Sequence, residues 1–180
     1  PADIARIEDA RSPWRDRQWA AAPLLAEDRD DPDRKPASVV NPANGDDHVG
    51  TVHEATQADI EAALGAARPW NAAVADRAAV LNAAAGLYED NFGELFAILT
   101  REAGKPLWEA RIEVEGTARY FEYYGNQAET LEGRSIPLGA GYLDFTLHEP
   151  YGVSAQIIPW NYPLEMTARS LSHATMSRRR

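Results

Sequence analysis

No cysteine occurs among the 180 residues. That excludes a disulfide, a thiolate metal centre and a cysteine nucleophile within this stretch. Long hydrophobic runs are missing as well. Nothing approaches the ~20 consecutive apolar residues of a membrane-spanning helix, and no charged, apolar, small-residue order marks a secretion signal. The expected location is therefore cytoplasmic. Positive charge is scarce: 18 Lys and Arg stand against 28 Asp and Glu, a formal net charge of −10. Phosphate backbones are met by basic faces, so a nucleic-acid partner is not expected. The histidines, His48, His53, His148 and His173, lack the i, i+3 or i, i+4 spacing of metal ligands. Ser154 and Ser170 lack the glycine-flanked elbow of a hydrolase nucleophile. A G-x-G-x-x-G fingerprint is absent too, because Gly139-Ala140-Gly141 runs on into Tyr142 and a strand pattern and reads as a loop.

What is present is ordinary globular material, 44% hydrophobic and 26% charged, long enough for one domain with a core. The chain begins with Pro rather than Met, so a processed chain, or one cut from something longer, is expected. Residues 1–37 read as an arm or linker. Ile4-Ala5-Arg6-Ile7 suits a short helix, Trp14 and Trp19 suit docking, and Glu27–Asp33 is an acidic, aperiodic, solvated connector. That acidic run lacks the glycine-punctuated loop of a calcium site. Val39-Val40, Pro42-Ala43-Asn44-Gly45 and Val49–Val52 predict a β-hairpin with Asn-Gly at its tip. Thr56 and Asp59 form a capping-box start to a helix, with Ile60, Ala63, Leu64 and Ala67 as its apolar stripe and Pro69 closing it. A second helix is predicted over Val74–Asp90, with Val80, Leu81, Ala84, Leu87 and Tyr88 on one face. A third is predicted over Phe92–Ala103, with Gly104 as its cap. A fourth runs from Pro106 to about Tyr124, with Leu107, Val114, Ala118 and Phe121 at helical spacing. Tyr120, Phe121, Tyr123 and Tyr124 read as a packed helix end in preference to an aromatic binding box. Leu143, Phe145 and Leu147 alternate with Asp144, Thr146 and His148, the pattern of a half-exposed strand that, unpaired, would be an edge seeking a partner. A final helix is predicted after Pro163, with Leu164, Ala168 and Leu171 on one side.

The stretch Glu149–Pro163 organises the rest. Pro150-Tyr151-Gly152 is a turn signal, and Val153–Ile158 reads as a strand buried on both faces, as in a parallel α/β sheet. Pro159 stops it, and Trp160-Asn161-Tyr162-Pro163 puts an amide between two aromatics just past a strand end, where α/β sheets bind ligands. Spacing alone leaves two readings: a ligand-facing Asn161, or a hydrogen-bonded turn Asn beside two core aromatics.

Glu149-Pro150-Tyr151-Gly152-Val153 with Ile157-Ile158-Pro159-Trp160-Asn161-Tyr162-Pro163 resembles the NAD(P)-dependent aldehyde dehydrogenase superfamily. Asn41–Gly45, Arg101–Pro106 and Glu132–Pro137 resemble further family segments in the same order, and the resemblance covers roughly Val39–Leu171. It implies an α/β chain carrying the N-terminal helices and opening strands of a Rossmann-like cofactor domain, plus part of a β oligomerisation element. The domains it implies are an arm at 1–37, the first part of the cofactor domain at 38–137 and an oligomerisation strand region at 138–150. The start of the Rossmann-like sheet and its helix follow at 151–173, with an atypical tail at 174–180. The implied reaction oxidises an aldehyde to a carboxylic acid with NAD or NADP as cofactor. The implied roles are oxyanion stabilisation for Asn161 and lining of the cofactor cleft for Ile157, Ile158, Pro159 and Trp160. Homo-oligomers, dimers or tetramers, are implied through the Leu143–His148 strand. The family's catalytic Cys, general-base Glu and ribose-binding Lys would lie beyond residue 180, so this chain alone is expected to be inactive. Trp19–Leu25 and Arg101–Lys105 also resemble the Δ1-pyrroline-5-carboxylate (glutamate-semialdehyde) dehydrogenase module of proline catabolism. Residues 173–180 depart from the family, as a frameshift, an early stop or a cloning end would. A truncated, non-catalytic subunit pairing with a full-length dehydrogenase is the alternative of another class.

Overall fold

Three residues decide how the start of the chain is seated: Gly50, Gly93 and Arg101. The computed structural model describes residues 2–27, 29–149 and 152–177, and these fall into two compact units, Pro1–Ala67 with Asn91–Val114, and Arg68–Asp90 with Glu115–Arg180.

In the first unit, helix α1 (Ala2–Arg11) leads through a 3-10 turn at Ser12–Trp14 to strand β1 (Trp19–Ala21). The hairpin strands β2 (Pro36–Asn41) and β3 (Asn44–His53) follow. The sheet order is β1-β3-β2, with β1 parallel to β3 and β2 antiparallel to it. The segment read from sequence as an arm thus supplies a helix and a sheet strand. Both need close backbone approach. A Cβ on Gly50 would run into the Trp19 carbonyl, and one on Gly93 would come within 2.6 Å of the Ala10 carbonyl oxygen, so only glycine fits at either place. Gly93 belongs to helix α4 (Phe92–Glu102), against which α1 packs.

Arg101, in the last turn of α4 and only 6% exposed, closes the arrangement. Its Nη2 and Nε donate to the two carboxylate oxygens of Asp47 at 2.6 and 3.2 Å. Its Nη1 donates to the carbonyls of Arg17 at 2.5 Å and Trp14 at 3.3 Å. The guanidinium carbon lies 5.2 Å from the Trp19 ring centroid, a cation–π distance. Trp19 itself donates from Nε1 to Glu94 at 2.7 Å. A planar fork with five donors is what such a junction demands. The docking role read for Trp19 is therefore realised through α4.

The hairpin forms, but its tip is Pro42-Ala43 and not Asn44-Gly45. Asn41 at the first position and Pro42 at the second are the preferences of a turn that needs no left-handed residue. The Asn41 side-chain oxygen accepts from the Ala43 N–H at 2.9 Å, and Gly45 is not among the left-handed glycines.

Helix α2 (Gln57–Ala66) has the full capping box, Thr56 and Asp59 each accepting from the other's backbone N–H. Its apolar stripe is not buried, with Leu64 65% exposed. What α2 buries instead is Asp59, 1% exposed and held bidentately by Arg34 at 2.7 and 2.6 Å. The acidic connector is likewise not fully solvated: Asp31 is buried and accepts from the Thr56 hydroxyl at 2.7 Å and the Asp33 N–H at 3.0 Å. The helix is tethered by ion pairs and hydrogen bonds, which no hydrophobic periodicity records.

In the second unit, α3 (Val74–Asp90) spans the residues expected of it. It buries Arg77, Leu81 and Ala85, while Val80 and Leu87 turn outward. Helix α5 (Leu107–Gln127) contributes its first part to the first unit and the rest to this one. It follows Gly104, whose φ of +64° ends α4. Leu81, Ala85, Phe121, Ala128, Ala168 and Met176 form the core, with Tyr120 and Tyr124 packed against it. Tyr88 stacks on Phe121 at 5.4 Å. The aromatic cluster is thus largely packing, and Tyr123 alone of the four is exposed. Strands β4 (Ser135–Ile136) and β5 (Asp144–Phe145) pair antiparallel. The loop between them contains Gly139 and Gly141, both left-handed. Of Leu143–His148 only Asp144 and Phe145 are strand, and Leu143, Phe145 and Leu147 are all exposed. Helix α6 (Pro163–Met176) buries Ala168, Ser172 and Met176, a spacing of four, and leaves Leu171 outside. Residues His173–Met176, the start of the ending read from sequence as departing from the family, complete this helix because Met176 belongs to the core. The three terminal arginines lie outside the described residues, as do Pro150 and Tyr151.

The ion pairs give two measurable consequences. Arg101→Ala leaves Asp47 without its charged partner, with only the Asn41 amide still donating to it, and should cost roughly 3 kcal/mol, as for broken buried pairs. Limited proteolysis within residues 2–21 should accelerate, with Arg101→Lys intermediate; unchanged cleavage would contradict the role given to the guanidinium. The hydrogen bonds from Arg34, with further help from the Thr56 N–H, hold the Asp59 carboxyl well below the usual carboxylate range. A depressed value means stability present above the unfolded-state pKa of about 4 and lost as pH falls below it. Acid unfolding monitored by circular dichroism should show this loss, and Asp59→Asn should be less stable at neutral pH with a flatter acid limb.

Candidate functional site

The site read from sequence lies in the second unit, on the approach to α6. Gly152 has φ +99°, a conformation only glycine takes readily; Pro150 and Tyr151 of the expected turn lie outside the described residues. The strand expected next is not formed. Residues 153–159 have no regular structure, and Ile157 is 96% exposed. A parallel strand takes its hydrogen bonds from neighbours. The strands present among the described residues pair within β1-β3-β2 and β4-β5, and none faces this run. Val153 and Ile157 are consequently exposed while Ile158 is partly covered, and Gln156 instead hydrogen-bonds Ser154 locally.

Pro159 ends the run, Trp160 and Asn161 form a turn, and Tyr162 caps α6 with Pro163 at its first position. Met166 N–H donates to the Tyr162 carbonyl at 3.0 Å, and the Thr167 hydroxyl donates to the Pro163 carbonyl at 2.6 Å. Glu165 sits in the first helical turn, where the helix dipole favours an acid. Trp160 is 85% exposed, Asn161 and Pro159 are exposed, and Ile158 and Tyr162 are partly covered. Of the two readings that spacing leaves, the turn Asn between two core aromatics fails at Trp160, which is not core. The five residues singled out from sequence do lie together, on one continuous surface segment.

Its chemistry is legible. Asn161 offers a neutral amide donor in the same exposed segment as Ile157 and Trp160. No lysine or arginine occurs between Val153 and Met166, so this segment itself offers no cationic side chain. Among the described residues no group of three or more His, Asp or Glu could hold a metal ion. No helix among them is long and apolar enough to cross a membrane. Sequence reading missed the Arg101–Asp47 and Arg34–Asp59 pairs. Their partners lie far apart in the chain, and opposite charge was their only signal.

A model of the aldehyde dehydrogenase family matches residues 29–177. Human retinal dehydrogenase 2 is 38% identical over 145 residues, covering 76% of this chain and 28% of that protein. Among solved structures, the NAD-dependent aldehyde dehydrogenase of Sinorhizobium meliloti superposes with a TM-score of 0.82 at 29% identity, covering 94% of this chain and 34% of that one. The NAD+ complex of the aldehyde dehydrogenase of Bacillus cereus gives 0.74 at 35% identity, covering 79% and 30%. The chain therefore spans about 28% of the curated relatives it matches, and its mixed helix-and-strand fold is that of the corresponding part of those enzymes. By the family match and by these likenesses in sequence and structure, the chain belongs to the aldehyde dehydrogenase family.

Proposed function

We propose that this chain forms the part of an NAD(P)-dependent aldehyde dehydrogenase that supplies one wall of the nicotinamide end of the active site. The observation that supports it is the family match over 29–177, which contains the exposed segment Ile157–Asn161 with its lone amide donor. Ile157, Ile158, Pro159 and Trp160 would line the cofactor, their apolar surfaces suiting a nicotinamide ring. When bound, NAD(P)+ supplies a hydride acceptor. The Asn161 side-chain amide donates to the oxyanion that forms when an aldehyde carbonyl is attacked by a thiolate. A neutral donor placed in advance stabilises that charge where water is excluded. Asn161 is exposed here, so exclusion of water falls to groups outside these 180 residues.

The thiolate does too, because the chain holds no cysteine. In isolation it is therefore inactive. The substrate is an aldehyde, and glutamate semialdehyde is the second reading, favoured by Trp19–Leu25 and Arg101–Lys105. A cytoplasmic homo-oligomer associating through Leu143–His148 accords with the exposed Leu143, Phe145 and Leu147. Pairing of this chain, as a non-catalytic subunit, with a full-length dehydrogenase would use the same surface.

The test is a chimaera in which residues 29–177 replace the matching part of the Bacillus cereus enzyme. The chimaera should form NADH from aldehydes, whereas the purified 180-residue chain should not. Asn161→Ala in the chimaera should lower kcat by about 100- to 1000-fold, the usual loss for one oxyanion donor. An Asn161→Ala chimaera with unchanged kcat would sink the proposal.

A further inference from the structure

We infer that Asn44–Gly45 is a self-modifying site, at which the Asn44 amide converts to aspartate and isoaspartate through a cyclic imide. The reaction needs three things: a side-chain amide carbonyl within reach of the next backbone nitrogen, no side chain obstructing that nitrogen, and a backbone free to close the ring. This step is the one Asn-Gly in the chain, and glycine alone brings no Cβ to the approach. Asn44 and Gly45 are both exposed, and nothing lies within 4 Å of where a Gly45 Cβ would be.

The third requirement is met by the register. Asn41 pairs with Asn44, and the adjacent Val40 pairs with His48. Gly45, Asp46 and Asp47 therefore bulge from β3 with no residue opposite them, so the ladder does not fix the peptide that must rotate. The Asn44 side-chain oxygen also accepts from the Asp46 N–H at 3.3 Å. That bond folds the amide back along the chain over Gly45 and polarises the carbonyl that is attacked.

The balance of the step is simple. The Gly45 backbone nitrogen gives its proton to hydroxide and attacks Cγ of Asn44. The new N–Cγ bond forms, Cγ–Nδ2 breaks and the amide nitrogen leaves as ammonia. Water then opens the imide at either carbonyl, giving an aspartyl or an isoaspartyl link. No oxidant or cofactor takes part, and the rate rises with pH. The product carries a new carboxylate beside Asp46 and Asp47, the latter being the partner of Arg101.

The experiment incubates the full chain at mildly alkaline pH and follows every asparagine by peptide mass mapping, with isoaspartate quantified separately. Acid should accumulate at position 44 ahead of Asn41, Asn71, Asn82, Asn91, Asn126 and Asn161, as a mixture of both isomers. Gly45→Ala should slow it about tenfold, equivalent to ~1.4 kcal/mol of barrier. That variant should fold normally, since Gly45 is neither left-handed nor crowded. The inference is overturned if position 44 converts no faster than the other asparagines in the folded chain, or if Gly45→Ala converts at the same rate.

Discussion

The Arg101 guanidinium is the junction on which the first unit depends. It sits at the end of α4 and holds the Asp47 carboxylate of the hairpin and the carbonyls of Trp14 and Arg17. Its hydrogen bonds join those three pieces of chain. Geometry explains the choice: a buried lysine offers one point charge, whereas the planar fork can satisfy a carboxylate on one edge and carbonyls on another. Gly50 and Gly93 make the same seat possible by subtraction, since a methyl at either would displace the backbone it meets. Charge and emptiness together fix an N-terminal segment whose own apolar content is too small to do so.

The second unit is built by the more familiar route. Leu81, Ala85, Phe121, Ala168 and Met176 enclose a core from α3, α5 and α6, and the aromatics at the end of α5 complete it. This unit also carries the Ile157–Asn161 segment, and the contrast within it is informative. The helix after Asn161 is packed, whereas the run before it is open. Burial of α6 fixes where Asn161 begins, and nothing among the described residues fixes the other side. A segment packed on one side and open on the other accords with a chain that spans about 28% of its curated relatives.

Much of this was legible in the sequence wherever the signal was local. The span of α3, the Thr56–Asp59 cap, the Gly104 stop and the start of α6 at Pro163 all rest on interactions within a few residues. Legibility failed where a distant partner decides. The Ile60 and Leu64 stripe reads as core, yet α2 is held by Arg34 reaching Asp59. Val153–Ile158 reads as a buried strand because its composition is that of one, but a strand exists only through its neighbours. The hairpin tip was a contest between two turn signals, and Asn41-Pro42 prevailed over Asn44-Gly45 because it needs no left-handed residue. For the candidate site, the turn at Trp160-Asn161 before α6 was legible, whereas the exposure of Ile157 and Trp160 was not, because the run before it reads as buried. The oxyanion role proposed for Asn161 rests on family resemblance rather than on spacing.

The most direct measurement is hydrogen–deuterium exchange of the 180-residue chain, read peptide by peptide. Amides of residues 153–158 should exchange at nearly the rate of an unstructured peptide, while those of α3 and the buried part of α5 stay protected. Protection of 153–158 equal to that of α5 would show the run already paired and buried. The account of an open wall, with Asn161 positioned from one side only, would then be wrong.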